Sequence, residues 1–147
     1  MKTVNIYTDG ACKGNPGAGG WSAILEYEGR EKELFGGEKS TTNNRMELTA
    51  AIEGLKALKT PCKVTLYSDS QYLVNAINKG WLESWKQKGW KKSDKSQVLN
   101  DDLWKILDDL LSIHEVEFIW VRGHDGHAYN ERCDELASSY AERLQNT

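Results

Sequence analysis

The stretch that decides the fold is Val4–Trp21, VNIYTDGACKGNPGAGGW. It begins with alternating β-forming residues, which predicts a strand over Thr3–Thr8. Asp9 follows directly, and a loop with five glycines and Pro16 comes after it. A glycine-rich loop after a strand often binds phosphate, but an acid at its start would repel phosphate. The position of Asp9 therefore needs a chemical explanation.

Two common phosphate-binding motifs do not fit this loop. A Walker A loop ends in G-K-[ST], whereas this one ends in GNPGAGGW and has no lysine there. A dinucleotide fingerprint opens a helix, whereas this loop leads into a second predicted strand at Trp21. The glycines instead favour a turn whose backbone lies close to a ligand.

The composition predicts one folded domain over residues 1–147. The chain is 39% hydrophobic, with no secretory signal at its start and no apolar run of transmembrane length. Its three cysteines, Cys12, Cys62 and Cys133, are widely spaced and odd in number, which fits neither a disulfide framework nor a zinc finger. We expect a cytoplasmic monomer that does not bind membranes.

The charge is unevenly distributed. The net charge is −3, but residues 81–95, WLESWKQKGWKKSDK, hold five lysines and two acids. This segment therefore carries +3 and leaves −6 for the rest of the chain, which suggests two surfaces with different partners.

The order of predicted elements indicates an α/β fold. Strands are predicted at Thr3–Thr8, Trp21–Tyr27, Glu31–Gly36, Lys63–Ser68 and Val116–Val121. One helix runs from a cap at Asn43 or Asn44 to about Leu58, and a second from about Ser70 to Asn78. Two further helices have the apolar stripes Leu103, Ile106, Leu107, Leu110, Leu111 and Cys133, Leu136, Ala137, Tyr140, Leu144. This order predicts a five-stranded mixed sheet, an antiparallel hairpin plus parallel strands, flanked by helices.

Four acids are expected to meet at one edge of this sheet. Asp9 and Asp69 each follow a predicted strand, and the carboxyl ends of parallel strands are where open α/β sheets place ligands. Glu47 and Asp134 lie at the edges of the buried stripes of two helices. Each acid alone fits a turn or a helix-dipole role, but four such acids together indicate a cluster.

Such a cluster requires a cation, because four converging carboxylates cannot all stay ionised without one. An oxygen-only donor set suits Mg²⁺ or Mn²⁺ rather than zinc. A metal ion between Asp9 and a phosphate would explain the acid at the start of the loop.

Four blocks of the chain resemble, in order and spacing, those of type 1 (bacterial-type) ribonuclease H: YTDGACKGNPG, TTNNRMEL, YSDSQYL and GHDGHAYNERCDELA. The resemblance covers nearly the whole chain. It implies a ribonuclease H-like fold with a basic helical protrusion at about residues 81–95. It also implies an endonuclease that cuts the RNA strand of RNA–DNA hybrids with two Mg²⁺ ions, leaving 5′-phosphate and 3′-hydroxyl ends. The metal-binding carboxylates of the family match Asp9, Glu47, Asp69 and Asp134.

The resemblance also assigns a role to one histidine. His124 matches the family's mobile-loop histidine, which assists proton transfer or product release, and Asp125 beside it departs from the family pattern. Pairing of His124 with His127 in a zinc site is an alternative that the missing second pair of ligands disfavours. His114, at a predicted helix end, is expected to be structural.

The resemblance further implies two groups of substrate-binding residues. Contacts to the minor groove of the hybrid, where ribose 2′-hydroxyls distinguish RNA, would come from Cys12, Asn15, Asn43, Asn44 and Gln71. A DNA-strand phosphate would be held by Thr42 and Asn100. Ser40 stands where relatives often have arginine, so that phosphate contact is expected either to be weaker or to be shared with Lys39.

The basic segment has two interpretations. Trp81 and Trp85 could belong to the core, together with Trp104, while the lysines form a solvated face. The +3 charge with interleaved aromatic residues instead favours a second contact to the DNA strand. The residues of that contact would be Trp81, Trp85, Lys86, Lys88, Lys91 and Lys92.

Two other functions fit parts of the pattern. Transposases, integrases and junction resolvases use similar carboxylate clusters, but usually with additional DNA-binding domains or a dimer interface. A non-catalytic module that binds hybrids would have no need for four acids facing a phosphate. Cleavage assays with different duplexes separate these possibilities.

Overall fold

A five-stranded mixed sheet forms the centre of the computed structural model, which describes residues 1–123 and 127–147. The strands are β1 (Lys2–Lys13), β2 (Gly17–Tyr27), β3 (Arg30–Thr41), β4 (Cys62–Ser68) and β5 (Glu115–Trp120). Their order in the sheet is β3-β2-β1-β4-β5. The neighbouring pairs β1–β2 and β2–β3 are antiparallel, and the pairs β1–β4 and β4–β5 are parallel. The predicted mixed sheet is confirmed.

Helices cover both faces of the sheet. They are α1 (Asn43–Lys56), α2 (Gln71–Asn78), α3 (Trp81–Gln87), α4 (Asp101–Ile113) and α5 (Ala128–Gln145). The main core joins side chains of β1 and β4 to α1, α2 and α4, and Trp104 of α4 is fully buried within it. A smaller cluster on the other face, around Tyr7, Ile24 and Cys133, packs under α5.

The predicted glycine-rich loop is mostly strand, so that prediction was wrong. β1 continues through Asp9 to Lys13, and β2 begins at Gly17, with Cys12 opposite Gly19. The glycines are needed because a helix approaches the strand closely: a Cβ on Gly20 would lie 2.1 Å from the backbone oxygen of Ala137 in α5. Asp9 therefore lies inside β1 rather than after it.

Two local predictions also need correction. The cap of α1 is Thr42, whose hydroxyl accepts a hydrogen bond from the Arg45 N–H at 3.3 Å, so neither Asn43 nor Asn44 caps the helix. In α4, Ile106 is 44% exposed and does not belong to the buried stripe, whose centre is formed by Trp104 and Leu107.

The basic segment begins as the short helix α3. Trp85 is half-buried and packs edge-on against Trp104, with ring centroids 5.4 Å apart, so it contributes to the core. Trp81 is 42% exposed and lies near the Lys79 ammonium group, 5.9 Å from its ring centroid. The core interpretation thus fits Trp85 but not Trp81. Within the described ranges, no helix has the length and apolarity needed to cross a membrane.

Candidate active site

Three carboxylates meet where β4 ends beside the middle of β1. Asp9 comes from β1, Glu47 from the first half of α1 and Asp69 from the residue after β4. One carboxylate oxygen from each lies within 4.8 Å of the other two. The structure therefore brings together three of the four acids that the sequence singled out.

Gly10 allows Glu47 to reach this position. A Cβ at residue 10 would lie 2.6 Å from the backbone nitrogen of Glu47 and 2.7 Å from the carbonyl carbon of Met46. Any larger residue would push α1 away from β1. Sequence reasoning assigned Gly10 to a loop and missed this role, although its position next to Asp9 was a signal.

Asp134 faces the same site from α5. It is half-buried and lines a small pocket together with Thr8, Asp9, Asp69 and Asn130. The Ser138 hydroxyl donates a long hydrogen bond to its carboxylate at 3.4 Å. Asp134 thus lines the same pocket as Asp9 and Asp69, although its oxygens lie outside the group formed by Asp9, Glu47 and Asp69.

Burial without a counter-charge governs the electrostatics of the cluster. Asp9 is only 6% exposed and Glu47 only 4%. Burial, followed by repulsion from Asp69, raises the pKa of Asp9 to about 8, although the Gly10 N–H donates to its carboxylate at 2.9 Å. Burial, followed by repulsion from Asp9 and Asp69, raises the pKa of Glu47 well above its usual value. The cluster resists ionisation unless a cation joins it.

The donor atoms fit a hard divalent cation. Glu47 Oε1 and Asp69 Oδ1 are buried and have no hydrogen-bond partner among the described residues. Buried carboxylate oxygens without partners are costly, and the donors in this cluster are oxygens of the kind that Mg²⁺ and Mn²⁺ prefer. These two oxygens are therefore free to act as ligands for such a cation.

Two neighbours that sequence reasoning missed hold Asp69 in place. The indole N–H of Trp120, at the end of β5, donates to the backbone oxygen of Asp69 at 3.1 Å. Gly123 also lies against this residue, because a Cβ there would be 3.0 Å from the Asp69 carboxylate. The end of β5 and the segment after it therefore support the residue that follows β4.

Comparison with known proteins identifies the family. A family model described as RNase H matches residues 1–142. The chain belongs to the RNase H family. It is 61% identical over 135 residues to the ribonuclease H of Caldanaerobacter subterraneus subsp. tengcongensis, a match that covers 92% of this chain and 88% of that protein.

Solved structures agree with the family assignment. LC9-RNase H1, a type 1 RNase H with the type 2 active-site motif, superposes with a TM-score of 0.87 at 34% identity, covering 98% of this chain and 74% of that one. LC11-RNase H1 in complex with an RNA/DNA hybrid superposes with a TM-score of 0.69 at 25% identity, covering 95% and 97%.

In this RNase H-family chain, four of the five predicted minor-groove residues lie near the β1–β2 turn or at the start of α1, and the fifth, Gln71, begins α2. The exposed Asn15 side chain accepts a hydrogen bond from the Asn43 N–H at 3.0 Å. Cys12 is half-buried, and its thiol donates to the backbone oxygens of Gly17 and Thr41. Asn44 is half-buried and Gln71, at the start of α2, is exposed.

The two predicted phosphate-binding residues already make contacts within the protein. Thr42 caps α1. Asn100 accepts from the Arg45 guanidinium at 3.2 Å and donates to the Tyr72 hydroxyl at 3.1 Å. Arg45 also forms a bidentate ion pair with Asp102, at 3.0 and 2.8 Å, which sequence reasoning did not find. This network joins α1, α2 and the start of α4.

The lysines of the basic segment differ from one another. Lys86 pairs with Asp108 of α4 at 3.1 Å and with Glu83 at 3.4 Å. Lys88, Lys91 and Lys92 are exposed and form no salt bridge with any residue that the structure describes. These three, like the exposed Lys95, are available to a partner without breaking an ion pair among the described residues.

His124 and Asp125, which the sequence analysis singled out, lie outside the described residues. The same holds for the alternative zinc pair of His124 with His127. His127 itself is exposed and precedes the first residue of α5. His114 is 5% exposed, and its Nδ1 accepts a hydrogen bond from the Cys62 N–H at 3.1 Å, as expected of a structural histidine.

Proposed function

We propose that this chain hydrolyses the RNA strand of RNA–DNA hybrids and that Asp9, Glu47, Asp69 and Asp134 hold two Mg²⁺ ions at the site of cleavage. The observation that carries this proposal is the cluster of buried acids with raised pKa values and two orphan carboxylate oxygens. Family membership supports it. Mn²⁺ is expected to substitute, since it accepts the same ligands.

The chemistry follows from the donor set. Two divalent ions held by these carboxylates would supply activation of the attacking water and stabilisation of the leaving 3′ oxygen, so that the products would have 5′-phosphate and 3′-hydroxyl ends. The protein supplies fixed carboxylates, of which Asp9 and Asp69 belong both to the group of three and to the pocket that Asp134 lines. No serine or cysteine nucleophile is required.

Selectivity for the hybrid is proposed to come from the polar residues beside the cluster. Asn15, Asn43, Asn44 and Gln71 present amides that can donate to and accept from a ribose 2′-hydroxyl, which DNA lacks. LC11-RNase H1, which has a similar fold, is a structure in complex with an RNA/DNA hybrid. Thr42 and Asn100 are proposed to hold a phosphate of the DNA strand, Asn100 through its second amide hydrogen.

Three further parts of the function stay predictions from the sequence. His124 is proposed to assist proton transfer or product release. Residues 1–147 are proposed to act as one catalytic domain in which the basic segment at about residues 81–95 binds the DNA strand. Action as a monomer in the cytoplasm is also proposed.

A duplex panel tests the proposal. End-labelled RNA–DNA, RNA–RNA and DNA–DNA duplexes are incubated with the protein in Mg²⁺ and in EDTA, and the product ends are analysed. We expect cleavage of the RNA strand of the hybrid alone, in Mg²⁺ alone. Cleavage of duplex DNA would favour the transposase and resolvase alternative, whereas binding of the hybrid without cleavage would favour a non-catalytic module.

A further inference from the structure

Three tyrosines form a continuous stack directly beside the acid cluster. The rings of Tyr7 and Tyr67 are 4.8 Å apart and nearly parallel, at 9°. Tyr7 also stacks on Tyr129, with ring centroids 4.3 Å apart and an angle of 19° between the ring planes. The His127 ring lies 5.8 Å from that of Tyr7 and 6.4 Å from that of Tyr67. The cleavage chemistry described above uses none of these rings.

Each tyrosine lies at a short, fixed distance along the chain from one of the acids. Tyr7 and Tyr67 are direct partners in the parallel β1–β4 pair, and each is two residues before an acid, Asp9 or Asp69. Because side chains two residues apart in a strand share a face, Tyr7 and Asp9 lie on one side of β1. Tyr129 is in the first turn of α5, the helix that carries Asp134.

The stack is part of the anchoring of α5 near its start. The Cys133 thiol donates to the backbone oxygen of Tyr7 at 3.2 Å, and the Ser22 hydroxyl donates to the Cys133 backbone oxygen at 2.6 Å. The Tyr129 hydroxyl donates to Glu31 of β3 at 2.6 Å. These contacts fix the helix against β1, β2 and β3, whereas the Tyr7–Tyr67 contact extends the anchoring to β4.

We propose that the Tyr7–Tyr67–Tyr129 stack positions Asp134 relative to Asp9 and Asp69 and thereby sets the affinity of the site for Mg²⁺. The tyrosines are positioning residues, since they act through Asp134 and touch neither metal nor substrate. This inference rests on the proposed function, because it concerns the same metal site. Loss of one stacking contact should change an equilibrium by about two- to tenfold, the range of measured aromatic pairs.

Tyr67 offers the cleanest test because it is half-buried and lies at one end of the stack. Mg²⁺ binding to the full chain is measured by calorimetry for the wild type, Tyr67→Leu and Tyr67→Phe. Tyr140→Leu is the matched control, since Tyr140 is on α5 but packs against Phe35, at 6.1 Å, away from the cluster. Hybrid cleavage is followed in parallel as a function of Mg²⁺ concentration.

We expect Tyr67→Leu to weaken Mg²⁺ binding about three- to tenfold and to raise the Mg²⁺ midpoint of cleavage equally. The KM for hybrid at saturating Mg²⁺ should not change. Tyr67→Phe keeps the ring and should restore wild-type binding, and Tyr140→Leu should bind Mg²⁺ as the wild type does. In an Asp134→Asn background, Tyr67→Leu should have no further effect, since the two residues then act as one unit.

The positioning role is wrong if Tyr67→Leu binds Mg²⁺ like the wild type, if Tyr140→Leu weakens binding as much, or if the effects of Tyr67→Leu and Asp134→Asn simply add. If Tyr67→Leu does not fold, the same measurements are made on Tyr67→Met and Tyr129→Leu. Failure of the proposed function looks different: the stack variants would still change Mg²⁺ binding, but the wild type would cleave no hybrid. A wild type that binds no Mg²⁺ overturns both.

Discussion

At the scale of single residues, the main energetic cost in this molecule is buried negative charge. Asp9 and Glu47 are buried beside Asp69, and neither forms an ion pair with a lysine or arginine in the described ranges. Unpaired buried charges destabilise the folded state unless they are protonated or neutralised by a ligand. The cluster therefore links folding, proton binding and metal binding.

Asp9→Asn should stabilise the metal-free protein at high pH. The pKa of Asp9 is about 8 in the folded state and 3.8 in the unfolded state, so the folded state binds this proton more tightly. The stability that protonated Asp9 contributes is therefore fully present below pH 3.8 and is lost as the pH rises through about 8. Urea unfolding in EDTA should show the variant more stable than the wild type by up to about 5 kcal/mol at pH 8, because each pKa unit of the shift from 3.8 to about 8 corresponds to about 1.4 kcal/mol, and little different at pH 4. Glu142→Gln, an exposed change on α5, should show no such gain. A less stable Asp9→Asn at pH 8 would contradict the raised pKa.

His114 should make stability depend on pH in the opposite direction. Burial lowers its pKa below 6.5, and its Nδ1 must be unprotonated to accept from the Cys62 N–H. The stability from the neutral ring is present above pH 6.5 and is lost as the pH falls through and below that value. The free energy of unfolding of His114→Gln, measured between pH 7 and 5, should therefore fall less steeply than that of the wild type. His127→Gln, which removes an exposed histidine, is the control, and equal slopes for His114→Gln and the wild type would refute the role of His114.

At the scale of elements, periodicity predicted the existence and order of strands and helices better than their ends. The alternation in Thr3–Thr8 identified β1, but its continuation to Lys13 passes through Gly10, which propensity alone assigns to a loop. Tertiary contacts explain why glycines lie in these strands, because α1 and α5 approach the sheet so closely that only glycine fits at positions 10 and 20. Such contacts between elements distant in the chain leave no local pattern.

The basic segment shows the same limit. Its charge was evident from the sequence, but the burial of Trp85 against Trp104 and the pairing of Lys86 with Asp108 depend on how α3 packs on α4. We therefore expect its lysines to act as two sets. Lys86 stabilises the attachment of α3, whereas Lys88, Lys91 and Lys92 can bind phosphates.

Replacing Lys88, Lys91 and Lys92 with alanine should weaken hybrid binding without slowing the chemical step. Contacts far from the scissile bond contribute equally to the ground state and the transition state, so KM should rise while kcat stays within about twofold. The slope of log K against log salt should flatten by about 0.9 for each lost phosphate contact. Lys56, Lys59 and Lys63, changed together to alanine, provide a control with the same loss of charge elsewhere. A wild-type salt slope in the segment variant would mean that the lysines are only a solvated face.

At the scale of the whole molecule, the site is assembled from four elements spread over 126 positions of the chain, from Asp9 to Asp134. The sheet order places the end of β4 beside Thr8, in the middle of β1, and α1 and α5 bring one acid each from opposite faces. The sequence predicted this convergence because each acid had a definable place at a strand end or on a helix edge. It did not predict the supports, Gly10, Gly123 and Trp120, or the tyrosine stack, since their roles depend on contacts in three dimensions.

The most direct test of the account is the cleavage rate of the RNA strand in an RNA–DNA hybrid by Asp69→Asn, measured in Mg²⁺ beside the wild type. The substitution keeps the shape of the side chain and removes one anionic ligand, so hybrid binding and thermal stability should be retained. We expect Mg²⁺-dependent cleavage to fall by about a hundred- to a thousandfold, as when a single preorganised electrostatic group is lost. An Asp69→Asn variant that cleaves the hybrid at close to the wild-type rate would contradict the assignment of the carboxylate cluster as the metal-dependent active site.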